Sequence, residues 1–475
     1  MSQTFVSQTG TATVLAREPR SSEPLSARLV WVVLVGWAAV WFAARAWSGA
    51  YSWHFFWLGS GLLVQPGLPG GGLHLYAAHP QLQIGPLALA ATIPFRLLGV
   101  AAGGLAAGAV SMAAALAAMY LLTRRPGRER PVEPMLVLTT GLLLVPVWSE
   151  VAVRYTHLDD VLAVAFAVAA LHALRKQLPF ATGLLLAAAV DSKPWAAAFA
   201  VLVLALPGRR RIPAVIGLAA GVILVWAPFL LADAGTLAIG QFQIDNVASS
   251  ALNALGVHMA RTPWWDRPAQ LVAGLLAGAI LVRRGRPEAV MFAAIASRLL
   301  LDPQTYPYYT SGLVLAAACL DLLASSRRVP WWTMSVAAFW IIDAVGIRTL
   351  PAGVRGEIRA VYCLAAVALL VTCSLRRRRP QPGSSTPPRR YPSQADRPRR
   401  NENTAARVIG RRLRGAEVIR RPAGQLTPTT QPPAPPRHSP SEAVTIPLPA
   451  ARAQAAVRNS WSAFADHHAG PGPGL

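Results

Sequence analysis

Charged side chains are scarce in this chain of 475 residues. Asp, Glu, Lys and Arg together make up 14% of it, whereas hydrophobic residues make up 53%. A soluble globular domain usually carries about 25% charged residues. The shortage therefore argues against a soluble globular enzyme and predicts a protein with many membrane-embedded segments.

Lysine and cysteine are also rare. The sequence has two lysines, Lys176 and Lys193, and three cysteines, at positions 319, 363 and 373. Each cysteine lies in or at the end of an apolar run, which indicates small buried side chains rather than a set of disulfides. The lysines are few enough for the surroundings of each to be considered separately.

Positive charge is abundant by contrast, and its distribution follows the predicted loops. The formal net charge is +24, and residues 376–475 contribute 18 arginines against five acids. Much of the rest lies in short segments between apolar runs, as the positive-inside bias of membrane proteins requires. The C-terminal tail lacks the interleaved aromatics of a nucleic-acid surface, so no nucleic-acid partner is predicted.

The chain is predicted to divide into three parts. Residues 1–26 form a polar cytoplasmic segment without a convincing signal-peptide cleavage site, and residues 27–375 form an all-α bundle of about twelve transmembrane segments. Residues 376–475 form a basic, Pro-rich tail that is expected to be disordered and to contact anionic lipids. An even number of segments places both termini of this multi-pass cell-membrane protein in the cytoplasm.

Two long outer loops and broken or re-entrant helices are predicted within the bundle. The outer loops cover about residues 48–95 and 232–267. The apolar stretch 82–95 contains Pro86 and Pro94, so a juxtamembrane or re-entrant helix suits it better than a full span. The stretch 180–206 is interrupted at "VDSKPW" and has basic residues on both flanks, so two half-helices meeting at 191–195 are expected.

Asp159 and Asp160 are adjacent acids at the outer end of an apolar run, in the stretch "RYTHLDDVLAVAF". One interpretation is that they cap a helix N-terminus, where negative charge is favourable. The other is that they act in catalysis. Neighbouring residues of a helix point about 100° apart, so one of the two is expected to face a central cavity.

Lys193 lies next to Pro194 in the predicted break, and a cation at membrane depth is costly enough to suggest a function. A compact ammonium suits the phosphate of a lipid carrier. The alternative is a lysine that snorkels to the surface and pairs with Asp191. Arg298 and Tyr306, on either side of "LLLDPQT", are candidates for binding the same head group, with interfacial anchoring as the alternative for the tyrosine.

The sequence predicts no metal site with a defined set of ligands. His74 and His79 in the first outer loop are five residues apart, which is not the spacing of a helix-face pair, and no carboxylate lies near them. No cofactor is therefore assigned, and a divalent metal is kept only as an alternative.

Taken in order, four motifs resemble the GT-C superfamily of integral-membrane glycosyltransferases, and most closely its polyprenol-phosphate mannosyltransferase-like members of actinobacterial type. "HPQLQIGPLAL" resembles the proline-containing helix that ends the first outer loop of the family. "THLDDVLAVAF" resembles its outward acidic motif, "DSKPW" its lysine-containing break, and "DPQTYPYY" its late aromatic motif. The resemblance extends over about residues 27–375.

This resemblance implies a GT-C-like fold and the transfer of a sugar from a polyprenyl-phosphate donor. The acceptor is expected to be a glycan or lipid of the cell envelope at the outer face. Asp159 would match the outward aspartate of the family, and Lys193 would match its lysine after the fourth or fifth span.

The first outer loop departs from the family pattern. GT-C enzymes usually carry a catalytic Asp or Glu there, whereas residues 48–95 contain no acid. His54 or His79 is then the general base, since histidine suits proton transfer near neutral pH, or Asp159 or Asp160 takes that role. The remaining alternative is an inactive relative that acts as a lipid- or glycan-binding scaffold.

Overall fold

The computed structural model describes residues 26–124, 132–324 and 329–373, and within these ranges it is predominantly helical, with no β-strand. The α-helices are α1 (Ala27–Ala46), α2 (Trp53–Leu63), α3 (Leu75–Ala78), α4 (Pro86–Arg96), α5 (Val100–Thr123), α6 (Pro134–Ser149), α7 (Leu158–Arg175), α8 (Pro179–Ser192), α9 (Arg211–Ala232), α10 (Ala251–Ala254), α11 (Asp266–Arg283), α12 (Val290–Leu301), α13 (Tyr309–Ala324), α14 (Trp331–Thr349) and α15 (Ala352–Cys373). The predicted all-α class is confirmed for this part of the chain. The predictions for residues 1–25 and for the tail 376–475 fall outside the described residues.

Four helical segments among the described residues are long and apolar enough to cross a membrane. They are Ala27–Ala46, Val100–Thr123, Pro134–Arg154 and Gly208–Ala232. Shorter apolar helices are Pro179–Ser192, Pro194–Ala205 and Tyr309–Leu323. These helices support a membrane location, while the count of about twelve segments and the placement of both termini in the cytoplasm stay predictions.

Lipid-facing and packed helices differ clearly in the exposure of their apolar side chains. On α9, Leu224 is 77% exposed and Ile223 is 62% exposed, as suits a surface in contact with acyl chains. On α12, the run from Val290 to Ala296 is almost completely buried. Helices α12 and α13 therefore lie inside the bundle, with α1 and α9 towards its outside.

Helices α6 and α7 form a hairpin. Helix α6 continues into a π-helical segment, Glu150–Arg154, and α7 begins at Leu158. Thr156 has a φ of 50°, which turns the chain back between the two helices. Asp159 and Asp160 fall in the first turn of α7, where the helix dipole favours acids.

The predicted break at Lys193 is confirmed. Helix α8 ends at Ser192, Lys193 is extended with φ −150° and ψ 115°, and a 3₁₀-helical segment runs from Pro194 to Ala205. Pro194 explains the break, because its ring disfavours helical geometry at the preceding residue and it has no N–H to donate.

The first outer loop packs directly against this break. The backbone N–H of Gly85 donates to the carbonyl of Ser192 at 3.0 Å. A Cβ atom at position 85 would lie 2.0 Å from the carbonyl oxygen of Asp191, so only glycine permits this approach. Position 85 thus fixes the entry to α4 next to Lys193.

The last helix begins earlier than the sequence predicts. The hydropathy of the last apolar run predicts a span near residues 361–374, whereas α15 starts at Ala352. The additional turns include Arg359, which is buried and whose guanidinium donates to the carboxylate of Asp343 on α14 at 2.9 Å. Because Asp343 compensates the charge of Arg359, the helix can begin before the apolar run that hydropathy detects.

Candidate active site

Asp159 lies at the centre of a buried ionic cluster where α7 meets the break after α8. Its side chain is 0% exposed, and its carboxylate contacts the Lys193 ammonium through Oδ2. Its Oδ1 atom lies 2.9 Å from Nδ1 of His157 and accepts the backbone N–H of Asp160 at 2.8 Å. The partner of Lys193 is therefore Asp159 and not Asp191, and the lysine side chain is only 14% exposed rather than directed to the surface.

Asp160 belongs to the same cluster, but one oxygen of its carboxylate accepts no hydrogen bond. Its Oδ1 accepts the indole N–H of Trp195 at 3.0 Å. Its Oδ2 is buried and lacks a hydrogen-bond partner, with Nδ1 of His157 at 3.4 Å and Nζ of Lys193 at 3.8 Å. As the 100° offset along α7 predicts, the two acids differ, and Asp160 is the one that faces the cavity.

A cavity of about 10 Å³ adjoins Asp160, which is room for roughly one water molecule. Its lining residues are Trp148, Val151, Asp160, Val164, Trp195, Ile295, Arg298, Tyr308, Tyr309 and Gly312. A carboxylate and a guanidinium thus share one small chamber with aromatic and aliphatic walls.

Arg298 supplies the positive charge of this chamber. Its guanidinium lies 4.7 Å from the ring centre of Trp195 and 5.0 Å from that of Tyr309, which is cation–π geometry on two sides. One guanidinium nitrogen is 3.4 Å from Oδ2 of Asp302, one helical turn further along the chain. Arg298 is therefore held in place while its charge remains next to the cavity.

Aromatic rings form the wall of the cluster on the side of α13. The His157 ring stacks on Tyr308 at 4.3 Å between centres, and Tyr308 contacts Tyr155 at 4.9 Å. Tyr306 packs against Tyr308 at 5.5 Å and does not line the cavity. The proposed contact of Tyr306 with a head group stays a prediction.

His54 and His79 lie away from the cavity, since neither is among its lining residues. His54 is in α2, and its ring centre lies 3.8 Å from that of Phe55, with the two planes tilted by 40°. Burial lowers the pKa of both imidazoles below the usual value, so each is neutral at physiological pH. A neutral imidazole can accept a proton, but their role as general base stays a prediction.

The described residues include one group whose geometry suits a metal ion, formed by His157, Asp159 and Asp160. Their candidate ligand atoms all lie within 4.8 Å of one another. Lys193 already places a positive charge among these atoms, in contact with Asp159 and 3.8 Å from Asp160. The ammonium therefore competes for the position that a divalent ion would take.

His157 and Trp195 are site residues that sequence reasoning did not assign. Each carried a signal, because His157 stands two residues before Asp159 and Trp195 two residues after Lys193. Both donors are directed to the acid pair, His157 between the two carboxylates and Trp195 to Asp160. Both side chains therefore hold the acids in position.

Residues 85–303 match the family model described as Glycosyltransferase family 87. The segment contains the acid pair, Lys193 and Arg298, whereas the histidines of the first outer loop precede it. No curated protein and no solved structure matches the chain. The predicted resemblance to membrane glycosyltransferases is confirmed by this match, and the identities of donor and acceptor stay predictions.

Proposed function

We propose that this protein transfers a sugar from a polyprenyl-phosphate donor to a glycan or lipid acceptor of the cell envelope, at the outer face of the membrane. One observation carries the proposal. Asp160, with a carboxylate oxygen that lacks a hydrogen-bond partner, and Arg298, a buried cation, line the same cavity. The family match to residues 85–303 supports glycosyl transfer as the reaction class.

In the proposed reaction, a hydroxyl oxygen of the acceptor attacks the anomeric carbon of the donor sugar. The bond between that carbon and the phosphate oxygen breaks, and its electron pair leaves with the polyprenyl phosphate. The hydroxyl proton passes to the free Oδ2 of Asp160, which acts as general base. Negative charge that develops on the leaving phosphate is stabilised by Arg298, with Lys193 adding positive charge nearby.

Asp159 has a different role in this proposal. Its two oxygens are already engaged by Lys193, His157 and the backbone N–H of Asp160, and it is completely buried. It is therefore a positioning residue that holds the ammonium and the imidazole beside Asp160. In the absence of an acid from the first outer loop, Asp160 is the carboxylate that takes over proton transfer.

The test uses the full-length protein in lipid nanodiscs, a panel of polyprenyl-phosphate hexoses as donors, and extracted envelope lipids and glycans as acceptors. Asp160→Asn should lower kcat by about 10²–10⁴-fold, because removal of a general base costs that much. Asp233→Asn, a half-exposed acid of the second outer loop outside the cluster, is the matched control. Transfer by Asp160→Asn at the rate of the control variant would remove Asp160 from the mechanism.

A second candidate function has support from the acid-free first outer loop, residues 48–95. In that case the protein binds lipid-linked sugars without turning them over and acts as a scaffold. The same assay separates the two functions. Donor binding by the wild-type protein without transfer to any acceptor would favour the scaffold.

A further inference from the structure

A polar junction joins the two outer loops beside the candidate active site. Arg267, at the start of α11, donates to Oε1 of Gln83 in the first outer loop at 3.1 Å. It also donates to the carbonyl of Phe242 in the second outer loop at 3.2 Å. One guanidinium thus connects segments that are 184 residues apart in sequence.

Two polar atoms at this junction are buried without a hydrogen-bond partner in the protein. They are Nε2 of Gln83, which is a donor, and the carboxyl oxygen Oδ1 of Asp266. Asp266 is 0% exposed, and its other oxygen accepts the amide of Gln270 at 2.8 Å. Burying such groups unsatisfied is costly, so a junction that keeps both is suited to a partner that offers donors and acceptors together.

The junction lies next to the cation proposed to bind the carrier phosphate. Gln270 also donates to the carbonyl of Leu301 at 3.3 Å, at the end of α12. The following residue, Asp302, pairs with Arg298. Asp266 is therefore connected to Arg298 through Gln270 and the segment of Leu301 and Asp302, which places the junction near the proposed phosphate site.

We propose that Gln83, Asp266 and Arg267 bind the hydroxyl groups of the donor sugar. Sugar hydroxyls are both donors and acceptors, so one ring can satisfy an amide N–H and a carboxylate oxygen at once. The inference rests on the proposed function, because the sugar is placed by its covalent bond to the carrier phosphate. It adds a recognition site to which both outer loops contribute.

The test compares a sugar-free carrier with two carriers that each bear one hexose. Dissociation constants of polyprenyl phosphate, of its mannosyl form and of its glucosyl form are measured on the full chain in nanodiscs, with no acceptor present. Gln83→Glu keeps the size of the side chain and an oxygen for Arg267 but loses the amide donor. Gln81→Leu, in the same segment and outside the junction, is the control for local disturbance.

For the wild-type protein we expect at least one sugar-bearing carrier to bind about tenfold more tightly than polyprenyl phosphate alone. Gln83→Glu should remove most of that difference and leave the affinity for polyprenyl phosphate unchanged, whereas Gln81→Leu should preserve it. Unchanged affinity for the sugar-free carrier also shows that the variant is folded.

Three results would overturn the inference. The wild type could bind sugar-bearing and sugar-free carriers equally, or Gln83→Glu could weaken both to the same extent, or Gln83→Glu could change neither. The last result would mean that ordered water alone satisfies the junction. Binding needs no turnover, so these outcomes are distinguishable from a failure of the Asp160→Asn test.

Discussion

The pairing of Lys193 with Asp159 leads to a prediction about stability. In Lys193→Met, the apolar stem remains and the ammonium is lost. Asp159 is then a completely buried carboxylate next to a second acid, with only His157 and one backbone N–H to stabilise its charge. Removal of one partner of a buried ion pair typically costs about 3–5 kcal/mol, because the other charge stays behind without compensation.

The size of this loss depends on the burial of the pair. The Lys193 side chain is 14% exposed and that of Asp159 is 0% exposed, so solvent screens the interaction little. Asp159→Asn should cost a similar amount, since it leaves the ammonium without its main partner. The double variant Lys193→Met/Asp159→Asn should recover most of the loss, because replacing both members of a buried pair is often close to neutral.

The assay is thermal unfolding of the full-length protein in one detergent or nanodisc preparation. The expected order of apparent Tm places the wild type and the double variant above both single variants. The chain offers a matched control in Lys176→Met, which makes the same substitution at its other, exposed lysine and should leave the Tm unchanged. If the two single losses simply add in the double variant, the residues are not energetically coupled and the cluster is not held by this pair.

Two further predictions concern packing and pH. Gly183→Ala should strongly reduce folding yield, because the new Cβ would lie 1.9 Å from the carbonyl oxygen of Ala214 on α9. In the control variant Gly36→Ala the new Cβ meets nothing within 4 Å, so this variant should fold normally. Equal yields of the two variants would refute close contact between α8 and α9. Burial, together with repulsion from Asp302, raises the pKa of Asp266 to about 7, so the folded protein holds this proton more tightly than the unfolded chain. Stability should therefore fall as pH rises from about 4 to 7, and Asp266→Asn should flatten that decline in a pH series of unfolding curves.

Local features of the fold were predictable from the sequence because their causes are local. Pro194 and the basic flanks of its segment predict the break at Lys193. The alternation of apolar runs and basic loops predicts helices and a membrane location. Hydropathy missed the early start of α15, because Arg359 is compensated by Asp343 on another helix, which a window along the sequence does not detect.

The site was predictable in its members and only partly in its arrangement. Scarce charge in apolar segments points to Asp159, Lys193 and Arg298, but the only protein partner considered for Lys193 is Asp191, two residues away, in the alternative interpretation. The actual partner lies 34 residues earlier, since α7 and α8 are packed side by side. Likewise, no local signal connects Gln83 with Arg267, because their contact depends on how two outer loops meet.

The hydrogen bond from Gly85 to Ser192 connects the first outer loop to the break that carries Lys193. A cavity with room for about one water molecule cannot take up a lipid-linked sugar without rearrangement. Any displacement of the first outer loop at Gly85 must either break this bond or shift Ser192, whose next residue is Lys193. A displacement of this loop is therefore transmitted through Ser192 to Lys193, which couples the position of the loop to the ion pair between Lys193 and Asp159.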